Sequence, residues 1–268
     1  MKPSMNIRAF TLIELLVVVT IIVVLLALLT PALDKAVYQA ELLVCAGNVR
    51  ALGQAASEYA AGSARRYPPR FIAQGKQPHW LVQNVGGPND ERPALRPYVS
   101  MKAFQDPFTP RLDYEVLPKG VDAYTPYKLW YSWRYVTQPG QTRMGDRFSW
   151  TSTVTKMEHT FNVLAGDYSE FNTPSLVSNH QDREGRMYRV LDDNTTTPWA
   201  SNLRITIGRW ESDDGVRGTF DLNFAFQDGS VGRLSDLPSD DMDHTVRVPE
   251  SATSTDDAGW YTLLPSSD

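Results

Sequence analysis

From Leu15 to Leu33 every position is apolar except Thr20, Thr30 and Pro31. Nineteen residues rising 1.5 Å each as a helix reach about 28 Å, close to the thickness of a bilayer's hydrocarbon core. One membrane-spanning helix is predicted there. Beyond it the pattern turns from continuous to periodic: Val37, Ala40, Val44, Gly47, Ala51, Ala55 and Tyr59 recur at steps of three and four. That spacing predicts that the helix continues from Asp34 to Ala61 with this stripe against a core. Gly62 reads as the C′ stop, and Pro68-Pro69 bars continuation.

The rest of the chain has shorter signals. Residues 63–126 are rich in Pro, Gly and charge, which predicts loops, minor strands and a short helix around Arg92–Met101. Aromatic and polar residues alternate from Tyr127 to Val136, and Phe161–Ala165 and Arg204–Ile207 are apolar runs of strand length. Phe220–Gln227 and Ser230–Leu234 flank Asp228-Gly229, a dipeptide that predicts a hairpin closed by a type I′ turn. The class implied is α+β: one long helix, half membrane-embedded and half amphipathic, with an antiparallel sheet on its outer half.

Charge changes the picture in two places. The net charge of −5 gives no global drive toward nucleic acid. The acid is concentrated: residues 236–268 hold eight carboxylates against Arg247, a net −7, and read as a solvated, weakly ordered tail. A single cysteine, Cys45, excludes an intramolecular disulfide and Cys-based zinc or iron–sulfur sites, and reads as a packed small residue. A negative mean hydropathy excludes a multi-span membrane protein. Lys2 and Arg8 precede the apolar run, so the positive-inside rule holds residues 1–9 in the cytoplasm and sends the body outward.

Glu14 is the residue a plain anchor does not explain. An unpaired carboxylate in the apolar flank costs on the order of a few kcal/mol and marks a functional position. Arg8-Ala-Phe10-Thr-Leu-Ile-Glu14-Leu-Leu-Val-Val18 resembles the prepilin-type cleavage and methylation signal of type IV pilins and type II secretion pseudopilins. The resemblance implies cleavage by prepilin peptidase between Ala9 and Phe10, with Ala9 standing where the family usually has Gly, and methylation of the new amine at Phe10. It places Glu14 at the family's glutamate and Pro31 at its helix-kinking proline. The segment Cys45–Gln54 resembles the second half of the long helix in G-type pseudopilins. Independently of the family, a free amine at Phe10 of one subunit can pair with Glu14 of its neighbour in a helical stack, which would set axial register. The implied partners are the peptidase, other pseudopilins or further copies in a filament, an inner-membrane assembly platform and the lipid bilayer, with no nucleic acid.

Val163–Asp167, Asn179-His180 and Asn223–Val231 look like C-terminal motifs of large pseudopilin-like families of planctomycetes and related bacteria, which makes His180, Asp228 and Gly229 candidate motif residues. His180 precedes Asp228 by 48 residues, so an insertion of roughly 186–219 lies between the motifs. Enzyme signatures of the H-E-x-x-H and G-x-S-x-G kind do not occur, and His79, His159, His180 and His244 lack metal-ligand spacing. No cofactor is expected. Asp192-Asp193-Asn194 and Asp213-Asp214-Gly215 supply oxygen donors suited to calcium, although turn chemistry explains both. Trp130, Trp133 and Tyr135 offer either a binding platform or packing for the helix.

The domain reading is therefore a leader (1–9), a transmembrane and polymerisation helix (10–33), a pilin-like periplasmic domain (34–235) and an acidic tail (236–268). The function expected is a non-enzymatic filament subunit. The alternative is a single-span, membrane-tethered periplasmic binding protein or enzyme that does not polymerise.

Overall fold

The computed structural model describes residues 11–68, 80–83, 89–105, 107, 115–116, 123–124, 127–129, 143–145, 148–151, 158–167, 169–172, 175–178, 208–211, 220–237, 245–249 and 261–265. The chain opens with α1, Leu12–Gly62, a helix of 51 residues. There follow β1 (Trp80–Gln83), β2 (Asn89–Asp90), the short helix α2 (Arg92–Leu95), a 3₁₀ turn (Met101–Phe104), β3 (Ala123–Tyr124) and β4 (Tyr127–Leu129). Next come β5 (Phe148–Thr151), β6 (Glu158–Phe161), β7 (Val163–Asp167), β8 (Ser169–Asn172) and β9 (Ser175–Ser178). The last five are β10 (Gly208–Glu211), β11 (Phe220–Phe226), β12 (Val231–Leu237), β13 (Thr245–Pro249) and β14 (Tyr261–Pro265). The protein is α+β, and every strand pairing among the described residues is antiparallel.

Two units are distinguished, residues 1–40 and 41–268. In the first, the apolar side chains from Leu12 to Leu33 are solvent-exposed, and α1 is long and apolar enough to cross a membrane. Leucine, valine and isoleucine on every face is what a lipid-facing helix requires, since lipid has no polar side to match. The two threonines within it donate to backbone carbonyls of their own helix, Thr20 to Val17 at 2.8 Å and Thr30 to Leu26 at 2.9 Å. Neither hydroxyl therefore needs water.

The second unit is built on a four-stranded sheet of order β12-β11-β7-β4. All five residues of β7 are buried, as befits a central strand covered on both faces. Cys45, Val49, Leu52 and Ala56 of α1 share one core with Tyr127, Leu129, Val163, Leu164, Leu222 and Phe224. The approach is close at Gly53, where a Cβ would lie 2.9 Å from that of Ala225. Asn48 ties the helix to its neighbours by donating to the Gln105 carbonyl at 2.8 Å and to the Tyr127 hydroxyl at 3.0 Å. A second sheet has the order β10-β9-β8-β14-β13.

Several expectations are corrected. Of the expected stripe on α1, Ala55 is buried as expected, whereas Val37 and Val44 are 47% and 53% exposed; the buried face also holds Tyr38, Leu42, Cys45, Val49, Leu52, Ala56 and Ala60. Both stripes have helical spacing, and the helix residues that pack with the sheet are Cys45, Val49, Leu52, Ala55, Ala56 and Ala60. α1 ends at Gly62, where the stop was expected, but the left-handed residues that reverse the chain are Ala64 and Arg65, with φ of +53° and +62°. The hairpin stands where expected, but its turn is different. Only Gly229 has positive φ, +83°, with the Gly229 N–H bonded to the Phe226 carbonyl at 3.0 Å. That is a three-residue loop, a type I turn followed by a left-handed glycine, and not type I′.

The acidic segment also differs from the weakly ordered tail expected. Thr245–Pro249 and Tyr261–Pro265 pair over five residues each, and Tyr261 pairs with Phe171 of β8. Alternating Thr-Val-Arg-Val and Tyr-Thr-Leu-Leu are strand patterns, which the acid surrounding them obscures. Arg92–Leu95 and Met101–Phe104 form the short helical turns expected there, while Arg204–Ile207 and Trp130–Val136 lie outside the described residues.

Candidate functional site at the N-terminal helix

Thr11 and Glu14 close the first turn of α1 on each other. The Thr11 N–H and hydroxyl both donate to Glu14 Oε2, at 2.9 and 2.7 Å, and the Glu14 N–H donates to Thr11 Oγ1 at 3.2 Å. The Leu15 N–H then donates to the Thr11 carbonyl at 3.2 Å, the first backbone bond of the helix. Thr-x-x-Glu with this reciprocal pattern is a capping box, which satisfies donors that a helix start would otherwise leave open. The carboxylate also sits at the positive end of the helix dipole. Glu14 was read from the sequence as an assembly residue; its partner Thr11 was missed, although the Thr-x-x-Glu spacing was there to find it.

Ala9 and Phe10, the implied cleavage pair, precede the described residues. Pro31 is internal to α1, which runs on through it. Having no N–H, Pro31 leaves the Ala27 carbonyl without its usual helical donor. Cys45 is fully buried, the packed residue expected.

Two of the three C-terminal motif segments, Val163–Asp167 and Asn223–Val231, meet in the second unit. Asp167 Oδ2 accepts the Asn223 N–H at 2.7 Å and Asn223 Nδ2 at 2.8 Å, all of it buried. Asn223 Nδ2 also reaches the Leu42 carbonyl at 3.4 Å, and its Oδ1 accepts from Arg233 Nε at 3.1 Å. Residues 56 positions apart in two motifs thus form one network under the helix. A Cβ at Gly166 would lie 2.5 Å from the ring of Phe224, its cross-strand partner, so the glycine makes room for the aromatic. This arrangement orders a core and holds a helix.

At the hairpin, Asp228 Oδ1 accepts from the Ser230 N–H at 2.9 Å and hydroxyl at 2.6 Å. Those two bonds hold the Asp228 carboxyl below its usual range. His180, Asp192-Asp193-Asn194, Asp213-Asp214-Gly215, Trp130, Trp133 and Tyr135 lie outside the described residues. Among the described residues no group of three His, Cys, Asp or Glu side chains is placed to hold a metal ion.

Residues 4–30 match the family model for the prokaryotic N-terminal methylation motif. No curated protein and no solved structure matches the chain. The match runs from Ser4 to Thr30, so it takes in the capping box and most of the apolar run. The protein thus carries a prepilin-type N-terminal methylation motif at the head of a long apolar helix, as pilin-like and pseudopilin-like proteins do. Such a motif marks a substrate of prepilin peptidase and fits a membrane-anchored protein.

Proposed function

We propose that the chain is a pseudopilin-like structural subunit, cut between Ala9 and Phe10, methylated at Phe10, and assembled through α1 into a type II secretion or type IV pilus-like filament. The observation that carries this reading is the methylation motif over residues 4–30, joined to a helix that continues without a break from the apolar run into the core of a folded domain. A tethered enzyme needs an anchor, but it needs neither this motif nor a carboxylate at the start of the apolar run. The leader stays cytoplasmic and the domain is periplasmic, with the inner-membrane assembly platform as the machine that extracts the subunit. Extraction removes about 20 apolar side chains from lipid, and packing against neighbouring α1 helices replaces what is lost.

Glu14 becomes an interchain residue once Phe10 bears a free amine. In the capping box Glu14 already occupies the helix start, so a neighbour's amine meets a positioned carboxylate. N-terminal sequencing and intact mass of protein recovered from its native membrane test the processing step: a start at Phe10 with one added methyl is expected, and a start at Met1 or after Ala32 would contradict it. Glu14→Ala should be cleaved normally and fail to enter sedimentable polymer. Normal incorporation of that variant would remove the filament reading.

A further inference from the structure

On the side away from the core, α1 carries a stripe that has a counterpart nearer the start of the same helix. Val44, Gly47, Ala51, Gln54 and Glu58 follow one another at steps of three, four, three and four. Ala51 is half-buried and the other four are exposed. Ile21, Val24, Leu28, Pro31 and Lys35 repeat those steps, and all of them are exposed. Each residue of this second set precedes its counterpart by 23 positions, about 35 Å of helix. Alternating steps of three and four are the spacing at which two parallel helices interdigitate. Each set lies inside one of the two units.

Packing inside the subunit gives no reason for a glycine at position 47. Among the described residues, its chain neighbours and the helix's own backbone aside, a Cβ there would meet no atom within 4 Å, whereas at Gly53 it would lie 2.9 Å from that of Ala225. Glycine weakens a helix relative to alanine, and its use is to let a second backbone come close. The residue matched to Gly47 is Val24, which supplies the side chain for that gap. Pro31 leaves the Ala27 carbonyl without its usual helical donor, and the residue matched to Pro31 is Gln54, whose amide is a donor. Helical side chains lean toward the N-terminus, which aims Gln54 at that carbonyl when the two stripes are paired. Glu58 shares a groove of about 340 Å³ with Asp228, which is held by Ser230, and with Arg50 two turns earlier. Its match is Lys35, of opposite charge, and among the described residues neither Lys35 nor Glu58 has an ion pair within its own chain. Outside α1, the exposed large apolar side chains among the described residues are Tyr98 and Val116. Another copy's α1 is therefore the extended apolar surface that this chain offers to the outer stripe.

We propose that Val44, Gly47 and Glu58 of one subunit form a seam with Ile21, Val24 and Lys35 of a second copy of this chain, the two helices running parallel with an axial offset of about 35 Å. Unlike stretches of one helix make a heterologous contact, and repetition of such a contact extends a filament instead of closing a dimer. The apolar pairs supply the burial, while the Glu58–Lys35 pair and the Gln54 amide select this offset over its neighbours one turn away. The inference rests on the filament reading and adds to it a face, a partner stretch and a register.

The test uses the full chain expressed in a host that assembles it, with sedimentable polymer as the readout. Gly47→Leu should cut polymer by about tenfold, while its circular dichroism melt in detergent should be no lower than that of the wild type. Glu58→Lys and Lys35→Glu should each reduce polymer by about fivefold, and the two together should restore most of it. Val24→Cys with Gly47→Cys in one chain, whose own Cys45 is buried, should give a ladder of disulfide-linked multimers on mild oxidation. Leu28→Cys with Gly47→Cys, one turn out of register, should give none. Polymer from the wild type with undiminished polymer from Gly47→Leu, or without a ladder from the Val24 and Gly47 cysteines, would overturn the seam alone; lipid as the cover of this face would give both results. A ladder from the Leu28 and Gly47 cysteines in its place would overturn the register, and charge reversals that fail without rescue would overturn the Glu58–Lys35 contact. Absence of polymer from the wild type would instead remove the filament reading, and the seam with it.

Discussion

Gly229 and Ala64 pose the same backbone problem with opposite solutions. Both lie at positive φ, +83° and +53°, but only one of them is a glycine. Among the described residues, its chain neighbours aside, no atom lies within 4 Å of where a Cβ at Gly229 would stand, so the cost of a side chain there is argued from conformation. Gly229→Val should destabilise the folded domain by about 1–3 kcal/mol, and Ala64→Gly should stabilise it by up to about 1 kcal/mol. Thermal melts of the two variants check both signs; a tolerated valine together with a destabilising glycine would refute the assignment of strain. The location of the hairpin was legible from Asp228-Gly229, but its turn type was not, because Asp-Gly also suits a type I turn with a left-handed third residue. What decides is the Asp228 side chain, which binds Ser230 two residues on.

At the scale of the element, α1 shows what periodicity can and cannot supply. Its length and its passage from continuous to periodic apolarity were readable. The buried face was readable only in part: Ala55 goes inward as expected, but residues 37–60 carry two adjacent stripes at helical spacing and step counting does not choose between them. Volume does: Tyr38, Leu42, Val49 and Leu52 go inward, while Val37, Ala40, Val44 and Gly47 stay out. The choice is also reinforced by polar contacts absent from any apolar pattern, namely Asn48 to Tyr127 and Asn223 to the Leu42 carbonyl. Leu52→Ala should cost about 2–5 kcal/mol of stability, as for a large core side chain. Val44→Ala should stay within about 0.5 kcal/mol. Chemical denaturation of the two variants separates the stripes, and equal losses would mean that the helix is rotated relative to the core described.

At the scale of the whole molecule, composition concealed structure in the last thirty residues. A net −7 over residues 236–268 reads as a solvated, weakly ordered tail. Yet β13 and β14 pair across five positions, and β14 sits between β13 and β8 in the second sheet. Acid in the intervening segments and apolar alternation within the strands are compatible, because charge decides solvation while period decides pairing. Ending the chain at His244 would retain the acidic stretch 236–243 and remove both strands. It should expose an edge of β8, and an open edge is a template for association with other chains. The shortened protein, purified in detergent beside the full chain, should melt several degrees lower and sediment as aggregate on warming. An unchanged melting temperature would mean that β13 and β14 form a separate ribbon whose contact with β8 contributes nothing, and that the second sheet ends at β8.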